Sequence, residues 1–148
     1  MRVGIVGQGF VGTAVREGLK QYYDIHTYDL KEKCTEPDMN CLVVESDIIF
    51  VCVPTPMKKD GSCDISIVEN VVKEIDEISY DDWVDDGKIV AIKSTVPPGT
   101  TNDLNKECDN LSVIFNPEFL TEANFIEDFK NQSRIIIGGQ RPASTTLR

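Results

Sequence analysis

Residues 5–12 read IVGQGFVG, three glycines in the spacing G-x-G-x-x-G, directly after the apolar run Arg2–Val6 and directly before an apolar stripe at helical spacing. No other stretch of the 148-residue chain narrows the fold as much. Each glycine answers a different steric demand. Gly7 permits the tight turn, Gly9 lets a ligand approach the backbone, and Gly12 lets the helix pack closely on the strand. The helix N-terminus then offers unpaired N–H groups and a partial positive charge to a pyrophosphate. Alone, the pattern also fits a plain turn between strand and helix. Asp29 adds to it, closing the next apolar run about 20 residues on, where a carboxylate accepts bonds from a ribose diol or is merely a solvated strand end. The acid, with no arginine directly after it, favours NAD over NADP, a preference tempered by Lys31 and Lys33 nearby.

Short apolar runs rich in β-branched residues alternate with helical patterns along nearly the whole chain. Arg2–Val6, Ile25–Tyr28, Ile48–Val53, Ile89–Ile92, Val113–Phe115 and Ile135–Ile137 read as strands. Several are nearly continuous apolar runs, as in a parallel sheet covered on both faces. Val11, Ala14, Val15, Gly18, Leu19 and Tyr22 form one helical stripe, and Val68, Val71, Val72, Ile75 and Ile78 form another. The expected fold is therefore α/β: a Rossmann-like, doubly wound, mostly parallel six-stranded sheet with helices on both faces. The length suits one domain spanning residues 1–148, and no repeat, low-complexity tract or linker divides it. The tail GGQRPASTTLR reads as a loop, with a helix start as the alternative.

Composition removes several function classes. The net charge is −10, with acids crowded into EIDEISYDDWVDDG, a solvated face; no basic surface for nucleic acid is expected. A phosphate-bearing ligand must then be held by local backbone dipoles. Runs such as DIIFVCV are far too short to span a bilayer and no basic-then-apolar leader opens the chain, so no membrane role and a cytoplasmic location are expected. Five scattered cysteines without a C-x-x-C pair, and a single histidine, give no metal-binding pattern and read as free thiols in a reducing compartment. Cys52, inside an apolar run, reads as a buried small hydrophobe, and His26 as a structural or surface residue.

Parallel strands end at one edge of a sheet, so the segments after them converge on one crevice. These are VPTP (Val53–Pro56), KSTVPPGTT (Lys93–Thr101) and NPEFLTE (Asn116–Glu122). Topology alone thus gathers Thr55, Ser94, Thr95, Glu118 and Glu122. Each has a bland alternative. The prolines stiffen turns, with Pro98 entering a helix. Thr95 satisfies backbone groups. Glu122 sits in the first turn of a helix capped by Thr121, and Glu118 is structural.

These motifs, in this order, resemble the NAD-binding domain of the UDP-glucose/GDP-mannose dehydrogenase family, with NPEFL.E followed by DF and RIIIG most similar to its UDP-glucose branch. The resemblance implies oxidation of a sugar-nucleotide primary alcohol to a carboxylate in two NAD-dependent steps, through a cysteine-bound thioester. It implies that Gly7, Gly9, Val11 and Gly12 hold the pyrophosphate and Asp29 the adenosine ribose, with Phe10 and Lys33 also at the cofactor. Val53, Pro54, Thr55, Ser94 and Thr95 would line the dinucleotide site. Glu122, beside the nicotinamide, would handle water and proton in hydrolysis with Thr95 near the ring and Glu118 as supporting carboxylate. Thr121 stands where the family often has a basic residue, and Ala123 where glycine is common. The family's nucleophilic cysteine belongs to a later domain, and none of Cys34, Cys41, Cys52, Cys63 and Cys108 stands in a matching context. The chain by itself is therefore expected to be an inactive cofactor half-site, meeting a nucleotide sugar only when completed by a second domain. A stand-alone NAD-binding or regulatory module, and the Rossmann half of a β-hydroxyacid-type dehydrogenase, are the alternatives.

Overall fold

The computed structural model describes residues 1–80 and 87–148. In chain order the described elements are β1 (Arg2–Val6), α1 (Phe10–Leu19), β2 (Asp24–Tyr28), α2 (Met39–Val44), β3 (Ile48–Val51), α3 (Ser66–Ser79), β4 (Lys88–Ile92), α4 (Thr100–Glu107), β5 (Leu111–Phe115), α5 (Phe125–Lys130) and α6 (Ala143–Thr146). The strands form one sheet in the order β2-β1-β3-β4-β5, and every neighbouring pair is parallel.

Alternation along the inner strands builds a core on each face. Ile49, Val51, Val90 and Ile92 join Leu42 and Val43 of α2, Val68, Val72 and Ile75 of α3, and Leu104 of α4. Ile48, Phe50, Ile89 and Ala91 join Val15 of α1 and Ala143 of α6, with Phe129 of α5 packed against them. Residues buried on both sides of the sheet explain why β3, and β4 after its first residue Lys88, are apolar without a break. Each such side chain contributes about 1.5–3 kcal/mol by leaving water.

The doubly wound α/β expectation holds, with five strands among the described residues where six were expected. Ile135–Ile137 forms no strand. Only Gly138 exchanges both backbone bonds with Phe115 (2.6 and 2.7 Å), and it runs antiparallel. Asn116 Nδ2 donates to the Ile136 carbonyl at 2.8 Å, taking an acceptor that a ladder would need. Ile135 and Ile136 are left 67% and 46% exposed.

Smaller corrections have equally local causes. Tyr22 lies beyond the end of α1 and is exposed, so the helical stripe stops at Leu19. Strand β3 ends at Val51, two residues early, because Val53 and Pro54 turn away into the loop. Pro98 precedes Gly99, the N-cap of α4, and does not enter that helix. The tail does start a helix, α6. In the acidic run, Glu74 and Glu77 lie on the exposed face of α3; residues 81–86 lie outside the described residues.

Candidate functional site: a crevice at the sheet's carboxyl edge

From β1 the chain winds to β2 on one side and to β3 on the other, so the connections diverge and leave a crevice above β1 and β3. Backbone bonds carry the ladder past the strand ends: Gly7 N to Tyr28 O (2.9 Å), Cys52 N to Val6 O (2.8 Å), Lys93 N to Val51 O (3.0 Å) and Asn116 N to Ile92 O (2.9 Å). The strand-end loops are therefore fixed to each other rather than loosely gathered.

The glycine turn is steric necessity at two of its three positions. Gly7 has φ +92°, and a Cβ there would lie 2.7 Å from the Cys52 carbonyl oxygen. A Cβ on Gly12 would lie 1.8 Å from the Gly7 carbonyl oxygen. Gly9 is different: a Cβ there meets nothing within 4 Å. That space opens onto the start of α1, which has no side-chain cap and whose first backbone bond runs from Thr13 N to Gly9 O (2.9 Å). The N–H groups of the first turn are left without intrahelical acceptors, a site for an anion in a strongly acidic chain.

Two cavities flank this helix start. The first, of about 370 Å³, is lined by Gly9, Phe10, Val11, Cys52, Val53, Pro54, Thr55, Lys93, Ser94, Thr95, Glu118 and Leu120. The second, of about 320 Å³, is lined by Val6, Gly7, Tyr28, Asp29, Leu30, Lys31, Met39, Val53, Pro54, Ile67, Val71 and Glu74. Val53 and Pro54 belong to both, so the cavities adjoin across one loop. Each falls within the size of a small-molecule site, roughly 300–1,000 Å³.

Asp29 is more occupied than its place at a strand end suggests. Oδ2 accepts the Gln8 N–H at 2.7 Å; Oδ1 accepts those of Lys31 (2.8 Å) and Glu32 (3.1 Å). Partial burial pushes its pKa up, but these backbone bonds outweigh burial and hold the carboxyl below the usual aspartate range. A carboxylate offers about four acceptor positions, so one, on Oδ2, is left for a ribose hydroxyl. Asp29 is thus first a fastener between the glycine turn and the end of β2.

At the other end, Lys93 Nζ and Glu118 Oε2 lie 2.8 Å apart, with the two side chains only 4% and 5% exposed. Nζ also donates to Asn116 Oδ1 (3.0 Å) and lies over the Phe50 and Phe129 rings. Glu118 Oε1 accepts the Phe119 N–H at 2.9 Å. Ser94 turns its hydroxyl to the Val53 carbonyl (2.7 Å), tying the loop after β4 to the loop after β3. Thr55 and Thr95 line the cavity. Cys52 is buried, as expected, and its thiol is pushed up to about 12, chiefly by burial. Burial likewise pushes Cys108 up to about 11. His26 pairs Nδ1 with Glu36 Oε1 at 2.8 Å, away from the crevice.

Two residues expected at the site stand apart from it. Glu122 is exposed in the turn before α5 and lines neither cavity. Nor does Thr121 cap a helix around it. Asn124 is the N-cap of α5, and the Thr121 N–H and hydroxyl reach forward to Asp128 Oδ2 at 2.9 and 2.6 Å. Lys33 is exposed and lines neither cavity; Lys31 lines the second. Sequence reasoning passed over Lys93, although it opens the KSTVPPGTT segment, and over Met39, Ile67 and Val71, whose helical periodicity marked them only as core or left them unread.

A parallel sheet of reversed winding, an open helix start beside a glycine turn and two adjoining cavities define a Rossmann-type dinucleotide-binding domain. The chain belongs to the UDP-glucose/GDP-mannose dehydrogenase family and matches its NAD-binding domain over residues 17–147. An uncharacterized protein of Methanocaldococcus jannaschii, MJ1054, is 32% identical over 93% of the chain and 18% of its own length. The UDP-glucose 6-dehydrogenase AglM of Haloferax volcanii is 27% identical, over 95% of the chain and 41% of the relative. Among solved structures, GDP-mannose dehydrogenase from Pseudomonas aeruginosa, in a ternary complex, superposes with a TM-score of 0.85 and 27% identity, over 99% of this chain and 43% of that one. The chain thus spans less than half the length of each of these relatives. Among the described residues, no helix is long and apolar enough to cross a membrane.

Proposed function

We propose that this chain, a single domain over residues 1–148, supplies the NAD site of a cytoplasmic nucleotide-sugar dehydrogenase acting on a UDP-glucose-class substrate. The observation that carries the proposal is the shared Val53–Pro54 wall, which lets one extended dinucleotide occupy both cavities across the start of α1. The residues fit that cofactor. The first turn of α1 holds the pyrophosphate, with Gly9 leaving room for it. The remaining lone pair of Asp29 Oδ2 takes a ribose hydroxyl, and Tyr28, Met39, Ile67 and Val71 supply apolar surface for an adenine.

The other half, the nicotinamide, occupies the cavity beside Thr55, Thr95 and Glu118. When bound, NAD supplies the hydride acceptor for oxidation of the sugar's primary alcohol. Glu118, fixed by Lys93 and the Phe119 N–H, is the carboxylate placed to orient water there. Cys52, the cysteine lining this cavity, is kept as a thiol by burial, and Cys63 Sγ is turned to the Thr95 carbonyl at 3.6 Å, so we take the nucleophilic cysteine from outside these residues. The chain alone therefore binds NAD and turns nothing over, and a second domain completes it. Calorimetric titration with NAD⁺ should show one site, and mixing with UDP-glucose and NAD⁺ should form no NADH. A folded sample that fails to bind at millimolar NAD⁺ overturns the reading.

A further inference from the structure

Of the side chains lining the larger cavity, only Lys93 and Glu118 carry a charge. They are 2.8 Å apart and almost wholly buried, so the wall is electrically balanced while each member alone would be felt strongly in a medium of low dielectric. No other lining group offsets them: the Cys52 thiol is neutral, and the rest are glycine, hydroxyl, aromatic, aliphatic and proline residues. Lys93 is also held from three further sides, by Asn116 and the rings of Phe50 and Phe129, so it cannot swing away from an unfavourable neighbour.

A nicotinamide ring is a cation when oxidised and neutral when reduced. We propose that the net charge of the Lys93–Glu118 wall sets the relative affinity for oxidised and reduced cofactor, Glu118 cancelling the lysine so that the cationic ring is admitted. This rests on the reading that the nicotinamide half enters this cavity, and it adds a function for a pair whose mutual burial otherwise looks purely structural. A packing role changes the affinity for both forms alike; a charge role changes their ratio.

The test is the dissociation constant of the full chain for NAD⁺, by calorimetry, and for NADH, by its fluorescence. Glu118→Gln leaves an uncancelled ammonium and should raise the ratio Kd(NAD⁺)/Kd(NADH) about tenfold or more, below the roughly thousandfold of a full charge at about 4 Å and an effective dielectric near ~20 because the cavity opens to solvent. Lys93→Met should lower the ratio by a similar factor. The double variant, neutral again, should return to within about threefold of the starting ratio. Should a single variant fail to fold, Thr55→Asp adds a carboxylate to the same wall without unpairing the buried ions, and should lower the ratio. Parallel changes in both constants, with the ratio fixed, overturn the inference and leave the nicotinamide placement standing. A wild-type chain that binds neither form overturns both.

Discussion

The two ends of the crevice are held in opposite ways. On the Asp29 side, a partly exposed carboxylate is fastened by backbone N–H groups within a few residues of the strand ends, in a cavity whose other charged lining residues are Lys31 and Glu74. On the Lys93 side, two fully ionic side chains from the loops after β4 and β5 are buried against each other and against two aromatic rings. Both ends join segments distant in sequence, Gln8 to Asp29 over 21 residues and Lys93 to Glu118 over 25, but only at the second are both partners charged side chains, and neither charge is tolerable there without the other. Recognition of a ribose needs only one placed acceptor, whereas a reacting ring needs a fixed electrostatic environment, made in advance of binding.

The contrast is broken most directly by Lys93→Met. It leaves the Glu118 carboxylate buried without its cation and should cost about 3–5 kcal/mol in urea unfolding, while Lys93→Met with Glu118→Gln should recover most of that loss. A single variant within 1 kcal/mol of wild type, by that order-of-magnitude scale, would mean the Lys93 end is no more demanding than the Asp29 end. Next comes the hinge between the ends. Gly12→Ala forces a methyl group onto the Gly7 carbonyl oxygen, where only backbone can yield. The expected loss is about 3 kcal/mol, at the upper end of overpacking effects, read from the same unfolding curves.

How much of this was legible in the chain follows the same division. The glycine turn and Asp29 could be read because their logic is local, one residue type at a fixed offset from a strand end. The convergence of VPTP, KSTVPPGTT and NPEFLTE was legible from topology, since parallel strands all deliver their loops to one edge. What topology does not give is where a loop side chain points. Glu118 and Glu122 are four residues apart in one segment, yet one is buried against Lys93 and the other faces solvent, because Thr121 is drawn forward to Asp128 and turns the chain outward between them. The sixth strand failed for a related reason. Ile135–Ile137 has strand composition, but a side-chain amide, that of Asn116, holds one of its carbonyls.

The Asp29 end should respond to acid in a defined direction. Its carboxyl is held below the ordinary value of 3.8, so its stabilising contribution is fully present above that pH and is lost as pH falls through the lower folded value. Asp29→Asn should remove this part of the acid limb and, at pH 7, cost about 1 kcal/mol, discounted for its exposure to solvent. Urea midpoints measured between pH 2 and 7 by circular dichroism check it; an acid limb identical in the two proteins would show that the three backbone bonds form no part of the stability.

The smallest effect on stability belongs to Gly9→Ala, and it separates the glycine motif into its two jobs. Gly9 has φ −68°, which alanine adopts freely, and a Cβ meets nothing within 4 Å. The unfolding free energy should therefore stay within about 0.5 kcal/mol of wild type, since neither strain nor a clash is introduced. Affinity for NAD⁺ should nonetheless fall about tenfold, because the methyl group stands in the space through which a pyrophosphate reaches the first N–H groups of α1. Gly12→Ala, three residues away, must do the reverse and damage the fold first. If Gly9→Ala binds NAD⁺ as wild type does, the cradle is not where the phosphates lie, and the adjoining cavities hold something that does not cross the start of α1.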